Sequence, residues 1–190
     1  MRSLYVAVGL ALCSGSALAA DFGVGISARS DDGWLYAPIN VSKAFRIEPS
    51  IRYGSSDLSF SDDSGADEQD TETWELGVGI FGLKQVTEAA HIYYGARLAY
   101  VDTESTIVQT STFGTVIRSE TTQDGTRIGP TLGFEYIFGQ HFSVGGEASY
   151  TFLDLDGEST ARVGNFAAST MDIEQKSQGT QTRLIFRYMF

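Results

Sequence analysis

From Phe22 onward, apolar and polar residues alternate along the chain with a period of two, in segments rich in β-branched, aromatic and glycine residues. Eight such segments are read: Phe22 to Ser30, Trp34 to Ser42, Phe45 to Phe60, Thr73 to Leu83, His91 to Thr112, Thr115 to Phe138, Phe142 to Leu155, and Gly179 to Phe190. Alternation of this kind predicts strands with one face in each of two environments. No segment carries a helical period. No run of about 18 apolar residues follows the first twenty residues, so a spanning helix is not expected there.

The connectors differ in kind. Those around Ser42-Lys43-Ala44, Val86-Thr87-Glu88-Ala89 and Gly139-Gln140-His141 are tight. The link Asp31-Asp32-Gly33 is also short, and a turn is expected near Phe113-Gly114. Ser61 to Glu72, "SDDSGADEQDTE", and the stretch from about Asp156 to Gln178 read as long acidic loops. Short turns at one end and longer loops at the other describe an up-and-down meander. The expected fold is an all-β, eight-stranded antiparallel up-and-down transmembrane β-barrel.

Sorting each strand by parity separates the chemistry. One face collects residues such as Phe22, Val24, Ile26, Leu35, Tyr53, Trp74, Ile80, Leu98, Tyr100, Leu132, Phe134, Tyr150 and Phe152, with no charge among them. The other collects Arg29, Arg46, Glu48, Arg52, Glu75, Arg97, Arg127, Glu135, Glu147, Arg183 and Arg187, interspersed with glycine. A soluble barrel would turn the charges out; a membrane barrel turns them in. Eight strands enclose a lumen that side chains just fill, and the ring-rich face is too bulky for it. The apolar face is therefore expected to meet lipid. Its rings should form two girdles: Phe22, Phe45, Phe138, Phe142 and Phe190 near the short turns, and Tyr53, Trp74, Tyr100, Tyr150 and Phe152 near the long loops. Pro38, Pro49 and Pro130 fall inside strands and each removes a ladder donor, so bulges are expected there.

Composition adds location. "MRSLYVAVGLALCSGSALAA" has an early positive charge, a short apolar run and the small-residue site Ala17-Leu18-Ala19. It reads as a secretory signal over residues 1–19, leaving residues 20–190 as the barrel. The single cysteine, Cys13, lies within it, so no disulfide is expected afterwards. The net charge of −11 disfavours a nucleic-acid partner.

The chain ends in "QTRLIFRYMF", with Leu184, Phe186, Tyr188 and Phe190 on one face. With the signal, the eight amphipathic segments and the hairpin-like stretch "IGPTLGFEYIFGQHFSVGGEASYTF", this resembles the eight-stranded outer-membrane β-barrel proteins of Gram-negative bacteria, the OmpA-like and opacity-like group, without a periplasmic domain. The resemblance implies residence in the bacterial outer membrane. It also implies that Leu184, Phe186, Tyr188 and Phe190 are an assembly signal read by the outer-membrane assembly machinery. It implies little about activity.

Candidate chemistry is sparse. The two histidines, His91 and His141, both sit beside short turns, away from where a barrel hydrolase would act. There is no His/Cys metal cluster and no calcium-loop pattern. No catalytic residue, cofactor or metal is expected. The interior charges read as a network that plugs the lumen; a selectivity-lined conduit for ions or small solutes is the alternative, and a lipid-modifying enzyme a third. Expected partners are outer-membrane lipid and lipopolysaccharide, and a surface ligand met through the acidic loops. The protein is expected to be a monomer.

Overall fold

The computed structural model of the protein describes residues 21–28, 33–62, 65–111, 114–164 and 166–190. The signal over residues 1–19, Arg29 and the Phe113 half of the expected turn lie outside the described residues. The strands are β1 (Asp21–Ala28), β2 (Gly33–Tyr36), β3 (Ile39–Ser42), β4 (Phe45–Asp62), β5 (Gly65–Gln85), β6 (Ala90–Ser111), β7 (Val116–Phe138), β8 (Phe142–Val163) and β9 (Ser169–Met189). Each pairs antiparallel with its neighbours, and β9 pairs back onto β1, from Gly23↔Met189 to Ala28↔Leu184. The Phe190 N–H donates to the Phe22 carbonyl at 2.9 Å at the end of this seam. Since β2 and β3 are two pieces of one stave, the sheet closes as a ring of eight. Closure leaves no open sheet edge at the level of the apolar belt, as lipid demands.

Parity holds through each strand. Leu132, Phe134, Leu98 and Ile80 are exposed, while Arg46, Glu48, Glu75, Arg183 and Arg187 are buried. Ring contacts mark both rims of the apolar band. Phe22 meets Phe190 at 5.2 Å and Phe138 meets Phe142 at 6.2 Å near the short turns. Tyr53 meets Trp74 at 4.5 Å and Tyr150 meets Phe152 at 5.1 Å at the other rim. An exposed apolar belt between two aromatic girdles is the surface of a membrane-spanning barrel.

The prolines act differently from expectation: none introduces a bulge. Register is the same on both sides of Pro38, with Leu35↔Ile51 before it and Ile39↔Ile47 after. For Pro38 and Pro49 the reason is that each keeps half of a hydrogen-bonded pair. The Gly23 N–H donates to the Pro38 carbonyl and the Ala37 N–H to the Pro49 carbonyl, both at 2.9 Å. Only the return bond is missing, so the rung is weakened but not displaced. Pro38 still divides the expected second strand into β2 and β3. Pro130 stays opposite Ala96, and the β7–β8 ladder skips from Ile128↔Phe152 to Thr131↔Ser149 without a shift. The register shift near the prolines, between Asn40 and Ser42, adjoins the β3–β4 turn.

The two long acidic loops are also corrected. Ser61 to Glu72 is almost wholly strand: β4 and β5 stay paired from Phe45↔Gly82 up to Asp62↔Gly65. Likewise β8 and β9 stay paired up to Ala161↔Ser169, through the region from Asp156 to Gln178. Strands β5 to β9 have 21 to 23 residues. That is about twice the 9–11 a bilayer requires. Half of each strand therefore projects beyond the outer girdle, and backbone pairing there outweighs the weak β propensity of Asp, Gly and Ser.

Candidate functional site

The lumen is built by the inward positions of all the staves. The Arg187 guanidinium, 1% exposed, donates from Nε to Glu48 Oε1 at 2.7 Å and from Nη1 to Glu135 Oε2 at 2.9 Å. Arg46 makes a bidentate pair with Glu135 at 3.1 and 2.7 Å and donates to Asn40 at 2.8 Å. Arg97 bridges Glu48 at 2.6 Å and Glu147 at 2.7 and 2.8 Å. Arg183 reaches Glu147 at 3.4 Å and the Tyr36 hydroxyl at 2.7 Å. The chain Arg46–Glu135–Arg187–Glu48–Arg97–Glu147–Arg183 thus crosses the interior. Above it, Glu75 pairs with Arg52 and, at 3.1 Å, with Arg127.

Charges held this way are costly to bury singly, and pairing with added hydrogen bonds is what makes the arrangement tolerable. Four aromatic rings share the interior. Arg97 lies over Tyr36 and Phe81, at 4.7 and 4.8 Å to the ring centres. Arg187 lies over Tyr93 at 5.0 Å and Arg183 over Trp34 at 5.4 Å. Glycine makes room for them: a Cβ on Gly79 would meet the Phe81 ring, and one on Gly133 the Tyr93 ring. Trp34, Tyr36, Phe81 and Tyr93 were the residues that sequence reasoning left unremarked. Parity was the available signal, since each occupies an inward position on its strand.

The spaces flanking this network are unequal. A cavity of about 20 Å³, lined among others by Trp34, Arg97, Ser149 and Arg183, lies inside. It has room for about one water molecule. On the short-turn side a vestibule of about 630 Å³, lined among others by Lys43, Arg46, His91, Glu135 and His141, ends at the Arg46–Glu135 pair. His141 is engaged by the Met189 carbonyl at 2.9 Å.

The projecting half of the sheet forms a second candidate surface. Its lumen-side face carries hydroxyls in cross-strand contact: Thr71 with Ser105 at 3.1 Å, Thr73 with Thr103 at 3.2 Å, Thr121 with Ser159 at 3.0 Å. Its outward face carries carboxylates directly opposite one another. The pairs are Asp57↔Asp70, Glu72↔Glu104, Asp102↔Asp124, Asp124↔Asp156, Asp156↔Glu174 and Glu158↔Asp172. The acids expected on loops therefore stand on a rigid sheet. Like charges in this relation destabilise a ladder. Burial and the neighbouring Asp124 raise the Asp102 carboxyl above its ordinary value. Oxygens of Asp154, Asp156 and Glu174 approach within 4.8 Å of one another. Lys176 already bonds Glu174 and lies 3.7 Å from Asp154, so a cation of the protein's own serves this cluster.

Of the expected assembly positions, Leu184 and Tyr188 are exposed and Phe186 is half-buried on the lipid face of β9, and Phe190, the residue after the strand, is exposed.

No family model matches the sequence, and no curated protein matches it. Among solved structures, the fold matches a major outer membrane protein of Thermus thermophilus with a TM-score of 0.59, covering 90% of this chain and 100% of that one, at 13% identity. Acinetobacter baumannii CarO and CarO2 align at 12% identity and cover 90% of this chain, with TM-scores of 0.38 and 0.43 and 96% and 98% of their own lengths covered. The Thermus likeness shows that this is an outer-membrane-type β-barrel fold.

Proposed function

We propose that the protein is a non-catalytic resident of the bacterial outer membrane, a monomer whose closed barrel anchors a projecting sheet that acts at the cell surface. The observation that carries this reading is the continuous ion-pair chain from Arg46 to Arg183. Its groups are largely spent on one another across the interior, which suits a plug better than a path for solutes. Outer-membrane lipid and lipopolysaccharide surround the belt in this reading, and the assembly machinery reads Phe190 and the alternate residues before it.

The test is conductance of the purified barrel in planar bilayers. An anchor with a plugged lumen gives no channel steps above the empty bilayer. Regular, ion-selective steps would establish the narrow-channel reading instead. Lipid composition after prolonged incubation with the barrel should stay unchanged; a new lipid product would establish an enzyme.

A further inference from the structure

The projecting wall is incomplete. Strands β4 to β9 rise together, but β1 and β2 stop at Ala28↔Gly33, with only Arg29 to Asp32 between them. Over β1, β9 is paired no higher than Leu184; over β2, β4 is paired no higher than Ile51. Among the described residues, the upper part of β9 and the upper part of β4 each have a neighbour on one side only. Among the described residues two staves are missing from the projecting wall, leaving a slot that starts about 14 Å wide, three interstrand spacings, at the level where β1 and β2 end.

The direction of the free groups follows from the seam. The Phe190 amide points to β1 and the Met189 amide to the β8 side, where it donates to His141 at 2.7 Å. The β8–β9 register does not shift from Phe142↔Tyr188 to Ala161↔Ser169. Even-numbered residues of β9, from Thr170 to Thr180, therefore present their N–H and C=O groups to the slot. Their side chains point outward and include Asp172 and Glu174. The odd residues point to the lumen side and include Ile173 and Met171, which is 63% exposed. Across the slot, the lumen-side positions of β4 add Leu58 and Phe60, 47% and 64% exposed. These apolar side chains, exposed to water, flank the opening. An unpaired strand edge is usually guarded by lysine, proline or a bulge. Here Lys176 is the only such guard between Ser169 and Thr182.

We propose that this slot docks an extended segment of another protein, added as a strand to the free edge of β9, with basic residues alternating with apolar ones. The segment's main chain would bond the even-numbered amides and carbonyls. Its apolar side chains would meet Ile173, Met171, Leu58 and Phe60, and its basic ones would meet the outward row of Asp172, Glu174 and the neighbouring Asp156 and Glu158. Strand addition takes affinity from the main chain and specificity from alternate side chains. A second copy of this chain is the wrong occupant: it would set Asp57 of one edge beside Asp172 and Glu174 of another. The proposal rests on the surface role given to the projecting sheet, but not on a closed lumen.

The test uses the full folded barrel in nanodiscs of zwitterionic lipid, and a labelled decapeptide of alternating valine and lysine. Three measurements are made: anisotropy for binding, empty nanodiscs as the blank, and amide exchange by NMR. In the free protein the even-numbered amides from Asp172 to Gln178 should exchange fast and the odd-numbered ones slowly. The peptide should bind and protect the even-numbered amides. The same peptide with alternate N-methylated amides, at equal charge, should bind roughly tenfold more weakly or worse, one or two main-chain bonds being worth that much. Gln178→Pro removes a slot-facing donor and should weaken binding while the β8–β9 ladder stays protected. Equal binding of the N-methylated peptide, or binding without protection of the even-numbered amides, reduces the effect to charge attraction and overturns the proposal. So does no binding above the blank, or a free protein whose even-numbered amides are already protected by dimerisation. Conductance reports separately on the lumen, so failure of the plug and failure of the slot are told apart.

Discussion

Tyr93 lies over Gly133 on the neighbouring strand, and its hydroxyl end occupies the space that a side chain at Gly133 would take. The same hydroxyl donates to Glu147 at 3.2 Å, and the ring supports the Arg187 guanidinium. One absent methyl group thus lets an aromatic ring into the charged lumen. Gly133→Ala should cost about 1–3 kcal/mol, the usual penalty of overpacking. Combining it with Tyr93→Leu, which shortens the clashing group, should cost less than the sum of the two single changes. Urea unfolding in detergent or lipid measures both; strict additivity would mean that the ring is not held there.

Face polarity is tested at Leu132, which is 59% exposed in the middle of the apolar belt. Leu132→Arg should cost about 2–4 kcal/mol, as a charge at the bilayer midplane does. Val116→Arg, at the tip of the same strand and in water, should stay within about 0.5 kcal/mol of the parent. Equal effects at the two sites would mean that the membrane does not lie between the girdles.

Arg97 joins two carboxylates on different staves, Glu48 and Glu147. Arg97→Ala leaves both buried with one partner fewer and should lower stability by about 3–5 kcal/mol. Arg97→Lys should recover only part, because an ammonium cannot donate to both acids in the same fork or stack on Tyr36 and Phe81 as a planar group does. The midpoint of unfolding reads this, and full rescue by lysine would show that charge alone matters at this position.

Removing Phe190 should lower the fraction of protein that reaches the membrane in folded form. The residue closes the seam with its amide on Phe22 and its ring 5.2 Å from the Phe22 ring. A heat-modifiability gel of membrane fractions measures the folded share. Normal levels of the truncated protein would remove Phe190 from the assembly signal.

The carboxylate rows give a pH dependence. Asp102 has its pKa raised in the folded protein, by burial and then by Asp124. A carboxyl raised on folding destabilises the fold above its unfolded value near 3.9. That destabilisation disappears as pH falls through the raised folded value. The projecting halves of β6 and β7 should therefore become better protected from amide exchange as pH drops from 7 toward 4, after correction for intrinsic rates. Asp124→Asn should lessen the change between pH 7 and 4 without abolishing it, because burial, the larger cause, remains. Glu174 behaves oppositely, since Lys176 lowers its pKa, so β9 should respond less than β6. Equal responses in both strands would contradict the pairing.

Strand existence, face and closure were readable because period-two alternation is strong where one side meets lipid: Leu132, Phe134 and Tyr136 against Gly133 and Glu135 leave no other reading. The extent of the strands was not readable. Beyond Tyr53 and Trp74 both faces meet water, so nothing forces Asp67, Glu68 and Asp70 to alternate with apolar residues, and "SDDSGADEQDTE" looks like loop. Pairing with β4 and β6 decides its structure, and that is information held by other strands. The lumen charges could be grouped by parity. Which arginine reaches which glutamate depends on stagger around the ring, as with Arg97 meeting Glu147 on β8 and Glu48 on β4. The prolines misled because a missing donor was equated with a displaced chain.

Those prolines also mark where the ring is least tied. Pro38 and Pro49 each leave a rung with one bond where a regular ladder has two, and both rungs involve the stave that β2 and β3 share, Gly23 with Pro38 and Ala37 with Pro49; β1, β2 and β3 are short, at 8, 4 and 4 residues. Strands β4 to β9 form a single broad sheet of unbroken register on their β4–β5, β5–β6, β6–β7 and β8–β9 ladders. The barrel is thus a large curved panel with a narrow door, loosely latched at its β4 jamb and loosely joined along its own midline between β1 and the stave of β2 and β3. Breathing of the native wall should begin at that door, with amides of β1 to β3 exchanging before the membrane-level amides of β5 to β8. During insertion the panel should take shape first and the door swing shut last, when the chain's final aromatic residue meets Phe22.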